Sequence, residues 1–225
     1  MVKTSYAFKA VDVLPTYSAG QSTTSAATAE NGSYAGRVGL SGQQARIIGT
    51  KNGSLYSLDF VNGVQDSSAL IKLPSLRVNG PNATAGDFSK QTVFSCDVSI
   101  ARKADATLVI GYRYIGDLDD PMIPNGQPVG AIIVNLRRST LYWTLRINQN
   151  SNIQEFDVAP VTLNKKTNIT LRTSGQGITA IVDGVESPNL LWSYLNYTFT
   201  PLVQSWSYTS IDNTIATVTS MSVNQ

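Results

Sequence analysis

Two antiparallel sheets packed face to face, an all-β sandwich, is the fold this 225-residue sequence predicts. Three observations carry the expectation. Apolar residues recur at every second position through a succession of short segments, the period of a half-buried strand. Glycine, Asn-Gly and Asp-Gly turn signals punctuate those segments. No stretch of convincing length keeps a helical period. With 42% of its residues hydrophobic, the chain can bury one sizeable core, and sandwiches of this length commonly form a single main domain.

Taken in order, residues 1 to 15 form a short mixed segment ending at Leu14-Pro15, an edge strand or docking arm. From Thr16 to Ala29 the chain is rich in Ser, Thr, Ala and Gly, with almost nothing to bury. Such a segment cannot offset an ordering cost of about 1 to 2 kcal/mol per residue unless it gains partners. Residues 1–29 are therefore expected to be an N-terminal assembly arm and residues 30–225 the main domain. Val11, Val13 and Leu14 offer a short apolar anchor, and the backbone between could add a strand to an exposed sheet edge.

Gly32 to Gly49 carries short apolar pairs between glycines, and Leu55 to Phe60 then sets Tyr56, Leu58 and Phe60 on one face before the Asn62-Gly63 turn. Ala69 to Leu73 reads as the next strand, ended by Pro74. Val93 to Ile100 has an inward set of Phe94, Cys96, Val98 and Ile100, and Leu108 to Ile115 one of Leu108, Ile110, Tyr112 and Tyr114. Gly130 to Leu136 is nearly all apolar, as a strand covered on both faces would be. Leu141 to Ile147 alternates cleanly and should bury Trp143 and Leu145, and Ile153 to Val158 follows a polar loop. Asn168 to Gly184 reads as a hairpin, with Ile169 and Leu171 on one arm, Ile178, Ala180 and Val182 on the other, and Asp183-Gly184 as a second turn. Pro188 to Pro201 is rich in leucine and aromatic rings, and Ile215 to Val223 is a last strand. That makes some ten to twelve strands, with Phe94, Val98, Ile110, Trp143, Leu145, Leu171 and Val182 as the expected core.

The Asn168–Gly184 run of strand, short turn, strand and Val-Asp-Gly resembles the late hairpin of the concanavalin A-like (laminin G and legume-lectin-like) jelly rolls. Leu55 to Phe60, then Ile71-Lys72-Leu73-Pro74, then Asp87-Phe88-Ser89-Lys90 leading into Val93 to Ile100, is similar to the opening strands of that superfamily. The resemblance covers roughly residues 50 to 225 and implies a jelly-roll sandwich of the lectin and glucanase type. It also implies where a glycosidase of this type would keep its carboxylates, in the pattern Glu-x-Asp-x-x-Glu on one strand. Glu155 and Asp157 fit the first two positions and lie on one face of a strand, but Pro160 stands at the third, which counts against hydrolysis.

Composition narrows the functions. Charged residues make up 14% of the chain, and the formal net charge is +2. No strong field therefore favours nucleic acid, and the basic pairs Arg137-Arg138 and Lys165-Lys166 lack interleaved aromatics. Histidine is absent, removing the usual general base at neutral pH, and one cysteine, Cys96, allows no intrachain disulfide. No run is long enough to span a bilayer as a helix, and the N-terminus lacks the continuous apolar region of a signal peptide.

Two candidate sites emerge. Trp192, Tyr194, Tyr197, Trp206 and Tyr208 are rings that could stack on sugar faces. Asp117, Asp119 and Asp120 form a carboxylate-rich loop able to offer hard oxygen ligands to calcium, although a charged solvent turn is the simpler reading; no other cofactor is expected. Together these features predict a non-enzymatic structural or display protein of a bacteriophage virion, made in the host cytoplasm without a signal peptide. It would serve as capsid decoration, head fibre or tail adhesin, and would bind cell-surface polysaccharide. Its expected partners are other virion proteins or copies of itself through residues 1–29, in a homo-oligomer, with no membrane insertion. The alternatives are a stand-alone carbohydrate-binding module and a degenerate glycosidase.

Overall fold

The structure, a computed structural model, describes residues 92–114, 129–149, 152–174, 177–192, 198–209 and 214–224, and before them the strand backbones at 3–6, 22–29, 32–37, 45–52, 55–62, 67–72 and 76–77. These residues form eighteen strands and no helix, in two antiparallel sheets. Sheet A runs, neighbour to neighbour, through β15 (Val185–Glu186), β14 (Gly177–Val182), β13 (Lys166–Ser174), β8 (Thr92–Ile100), β18 (Thr214–Asn224), β5 (Leu55–Asn62) and β4 (Ala45–Asn52). Beside that path β1 (Lys3–Tyr6) pairs with β18 and β16 (Leu190–Leu191) with β14. Sheet B runs through β12 (Asn152–Pro160), β11 (Tyr142–Gln149), β10 (Val129–Asn135), β9 (Ala106–Tyr114), β17 (Thr198–Ser207), β6 (Ser67–Lys72), β3 (Gly32–Arg37) and β2 (Ser22–Ala29), with β7 (Leu76–Arg77) beside β17.

The seven expected core residues are all buried between the sheets. Register explains how they meet. Leu171 of β13 lies opposite Phe94 of β8 and Ala180 of β14, and Ile169 opposite Cys96 and Val182, so one face of sheet A is continuously apolar. Sheet B answers with Leu108 and Ile110 from β9, Ile132 and Val134 from β10, and Trp143, Leu145 and Ile147 from β11. β10 is covered on both faces as its composition requires. Ile132 and Val134 join the main core, whereas Ala131 and Ile133 join Val109 and Leu202 in a second, smaller cluster on the far face of sheet B.

The backbone of the expected N-terminal arm supplies two strands within this chain: β1 pairs with β18, and β2 pairs with β3 at the outer edge of sheet B. The expected hairpin is β13–β14, its turn at 175–176 lying outside the described residues. The second turn is as the sequence requires. Val182 pairs with Val185 across a two-residue loop in which Asp183 has φ 46° and Gly184 φ 87°, the two left-handed residues of a type I′ hairpin.

Pro201, expected to end a segment, lies inside β17 instead. On one side β17 pairs with β9 from Phe199 to Ser207, but on the other it pairs with β7 up to Phe199 and with β6 only from Leu202. Pro201 occupies the changeover, where that side demands no ladder bond from it.

Candidate functional site

Antiparallel partners present their side chains to the same side, so the register defines the face of sheet B that looks away from the main core. One row across it reads Asp157, Thr144, Ile133, Val109 and Gln204. The next reads Glu155, Arg146, Ala131, Gly111 and Leu202, and at the opposite margin Asn135, Thr107 and Trp206 form a further row. The middle of this face is closed: Val109, Ala131, Ile133 and Leu202 are buried, and Arg113 donates from Nη1 to Gln204 Oε1 at 2.6 Å with both residues buried. Gly111 fits there because a Cβ would come within 2.6 Å of the Ala131 Cα.

The margin at Trp206 is open. Trp206 and Tyr208 are half-buried, and the Tyr208 hydroxyl lies 3.4 Å from that of Thr107. The Tyr208 amide donates to the Asp105 carbonyl at 2.8 Å, and the Arg137 guanidinium sits 3.7 Å above the Tyr208 ring while its Nε donates to the Asp105 carboxylate. Two connections build this margin, residues 101–105 between β8 and β9 and residues 136–141 between β10 and β11. They are fastened by Ala104 N to Leu136 O at 3.3 Å, Leu136 N to Ala106 O at 3.0 Å, and Lys103 Nζ donating to Ser139 O. The margin thus combines two half-covered rings with guanidinium, carboxylate and amide groups on a backbone fixed by strands. Rings of this kind can pack against the CH faces of a sugar while the polar groups exchange hydrogen bonds with its hydroxyls.

Of the sequence-identified rings, the fold brings Trp206 and Tyr208 together and sends Trp192 elsewhere. Trp192, expected at the surface, is completely buried, stacked on Tyr112 at 6.2 Å between ring centroids and meeting Phe199 edge-on at 5.0 Å. Gly130 makes room for it, since a Cβ there would lie 3.0 Å from the indole. Trp192 is a core residue and offers no face to a ligand. Tyr194, Tyr197, Asp117, Asp119 and Asp120 lie outside the described residues, and among the described ones no three His, Cys, Asp or Glu residues gather around a common point. Glu155 and Asp157 share a face as expected, and both are engaged. Glu155 is bonded to Arg146; Asp157 accepts from Thr144 Oγ1 at 2.6 Å and has Arg138 at 3.8 Å. Pro160, at the third position of the glycosidase pattern, is exposed opposite Tyr142.

The outer face of sheet A is a polar network without exposed rings among the described residues. Asn168 Nδ2 donates to Asp97 Oδ1 at 2.8 Å, Lys166 Nζ stands 2.9 Å from Asp97 Oδ2, and Lys165 Nζ donates to Asp183 Oδ2 at 2.6 Å. Partial burial raises the Asp97 carboxyl, but hydrogen bonds from Asn168, Lys166 and Ser220 outweigh it and hold the group below its ordinary value. Asp183 is lowered in the same way, burial being outweighed by Lys165 and the Asn168 amide. Cys96, on the inner side of the same strand, has its thiol pushed up by burial and then by the charge of Asp97, which leaves it an inert apolar filler.

Arg137, Asp105 and Thr107 escaped the sequence reading as site residues. The only local signal was the Arg137-Arg138 pair, and what makes Arg137 part of a site is its position over Tyr208, 71 positions further along the chain.

No protein-family model matches the chain, and no curated protein sequence does. Solved structures do match. The carbohydrate recognition domain of Emp46p in its potassium-bound form superposes with a TM-score of 0.54 at 5% identity, over 79% of this chain and 85% of that one. An alginate lyase, PA1167 from Pseudomonas aeruginosa, gives 0.54 at 7% identity over 79% and 85%. The CBM2 module of the evolved Dit of Lactobacillus casei BL23 phage J-1 gives 0.52 at 8% identity over 78% and 77%. At such identities the likeness is one of fold, and with the strand order above it makes the architecture of this chain a lectin-like, two-sheet antiparallel jelly roll.

Proposed function

We propose that this chain is a non-enzymatic binding protein that takes a saccharide at the Trp206–Tyr208 margin of sheet B and is displayed on a bacteriophage particle. The observation that carries the saccharide reading is the pair of half-buried rings beside Arg137, Asp105 and Asn135 on a rigid sheet face. A carbohydrate recognition domain and a phage Dit module of the same fold support it by analogy. Binding rather than turnover is supported by Glu155 and Asp157 both being tied to neighbouring groups, with proline where a third carboxylate would act. A glycan array probed with the native chain, Trp206→Ala and Glu155→Gln tests both points. Binding should vanish in Trp206→Ala and persist in Glu155→Gln; glycan binding untouched by Trp206→Ala, or release of Glu155-dependent products, would refute the reading.

The display role rests on the N-terminal residues and on a polar, nearly neutral surface without disulfides. β2 forms an outer edge of sheet B, where a strand from another copy or another virion protein can add. Deleting residues 1–29 should leave a folded domain that no longer enters oligomers or particles, as read by circular dichroism and by sedimentation. Unfolding of the truncated chain would show instead that β1 and β2 serve only their own sheets.

A further inference from the structure

We infer that the saccharide at this margin is a chain of several sugars laid across the strands, with Tyr142 gripping the end away from Trp206; this rests on the saccharide reading above and deepens it. Register places the two rings. Thr144 of β11 pairs with Ile133 of β10, and the same register carried two residues further sets Tyr142 level with Asn135. Asn135 pairs in turn with Thr107 of β9, and Thr107 with Trp206 of β17. All four belong to the face of sheet B turned from the main core, since residues two apart on a strand point the same way and Trp143, next to Tyr142, points into the core. Tyr142 and Trp206 therefore stand on one line perpendicular to the strands, with β10 and β9 between them. Three inter-strand spacings put them about 14 Å apart.

The surface along that line suits one continuous ligand. Tyr142, Asn135, Tyr208 and Trp206 are all half-buried and so present part of each side chain to solvent, whereas Thr144, Ile133, Val109 and Gln204 in the next row are buried. Tyr208 brings its ring up to the line, its hydroxyl lying 3.4 Å from that of Thr107. Asn135 Oδ1 accepts from the Arg137 amide at 3.1 Å, which fixes the side chain, and its Nδ2 has no acceptor among the described residues. Beyond Tyr142, exposed Pro160 carries the apolar surface on to β12. Rings at both ends with an amide donor between them match the succession of CH faces and hydroxyls along a sugar chain. A single sugar, about as broad as the ring it packs on, covers one end only. A longer chain gains both ends, on a backbone that the strands have already ordered. Stacked bases would need open ring faces and a positively charged groove following the phosphates, but Arg137 already covers one face of Tyr208 and the formal net charge is only +2.

The test titrates the full chain with oligosaccharide ladders, disaccharide to hexamer, cut from dextran, cellulose, chitin and polygalacturonate, and with a single-stranded oligonucleotide and a polyproline peptide. It compares the native chain with Trp206→Ala, Tyr142→Ala and Tyr142→Phe, each checked for native circular dichroism. One ladder should bind, with affinity rising along it until the line is spanned. Tyr142→Ala should weaken the hexamer about tenfold and leave the disaccharide unchanged, Tyr142→Phe should keep the native length dependence, and Trp206→Ala should abolish binding at every length. Binding that needs Trp206 but does not rise with length, or that Tyr142→Ala weakens equally at every length, would overturn the extended ligand and keep the saccharide site. Ladder binding that ignores Trp206 would overturn the site itself. Tighter binding of the oligonucleotide or the peptide, or no binding by any probe, would overturn both.

Discussion

Trp143 is 1% exposed and sits in the row of β11 side chains that meets sheet A, so its truncation leaves a large void in a closed core. Trp143→Ala should lower unfolding stability by about 3 to 5 kcal/mol, read from urea denaturation; a loss below about 1 kcal/mol would mean the ring is not packed as described. The carboxyls of Asp97 and Asp183 give a second residue-level outcome. Both are held below the ordinary aspartate value in the folded state, so folding favours their ionised form. The stability they add is complete above the unfolded-state value of about 3.9 and is lost as pH falls through the folded-state values. Asp97→Asn should therefore reduce the acid-induced drop in melting temperature between about pH 6 and pH 2, and an unchanged drop would contradict the linkage. Trp143 could be placed from sequence because its polar neighbours fix the alternation. Trp192 could not, since it follows a two-residue strand with no period to read, and its burial depends on the gap left by Gly130 and on Tyr112 and Phe199.

Among the elements, the turn between β14 and β15 is the most completely specified. Gly184 has φ 87° and nothing within 4 Å of a Cβ built on it, so Gly184→Ala meets conformational strain without a clash. It should cost about 1 to 2 kcal/mol, and a neutral result in thermal denaturation would show that the loop relaxes to another turn type. β12 illustrates a different control. Among the described residues it is an edge strand of sheet B, and Ile153 and Phe156 on it are exposed, as are Val185 and Leu191 on the edge of sheet A that it lies near. Glu155, Asp157, Pro160 and the extra residue Val158 opposite the Trp143–Thr144 step interrupt that edge, which limits pairing with another chain. Strands with strong alternation, such as β8, β11 and β13, were legible because packing on one face imposes a period of two. The two-residue strands β7, β15 and β16 carry no period, and β2 has almost no apolar side chains, so its pairing with β3 is a backbone matter that residue types barely record.

At the scale of the whole molecule, the two-sheet class followed from local patterns, but the strand order did not. Pairings such as Val203 with Ile71, or Val218 with Leu58, join segments more than a hundred residues apart and leave no mark within either segment. The same distance kept the margin around Trp206 hidden, because it is assembled from residues 101–105, 136–141 and 206–208, which only the closed sheets bring together.

β17 and β18 each stand between an early group of strands and a later one: β17 between β6 and β9, β18 between β5 and β8. During ribosomal synthesis both sheets therefore remain in two halves, with the edges of β5, β6, β8 and β9 open, until residues 198–224 have left the exit tunnel. Assembly thus waits for β17 and β18, and until they emerge the nascent chain carries aggregation-prone edges, the interval in which a holding chaperone has most to cover. A chain stopped after residue 213 keeps β17 and lacks β18, and so reproduces that state in sheet A alone. It should sediment as aggregates and bind a hydrophobic dye strongly, whereas a folded monomer from the same truncation would mean that β18 is not what joins the halves of sheet A.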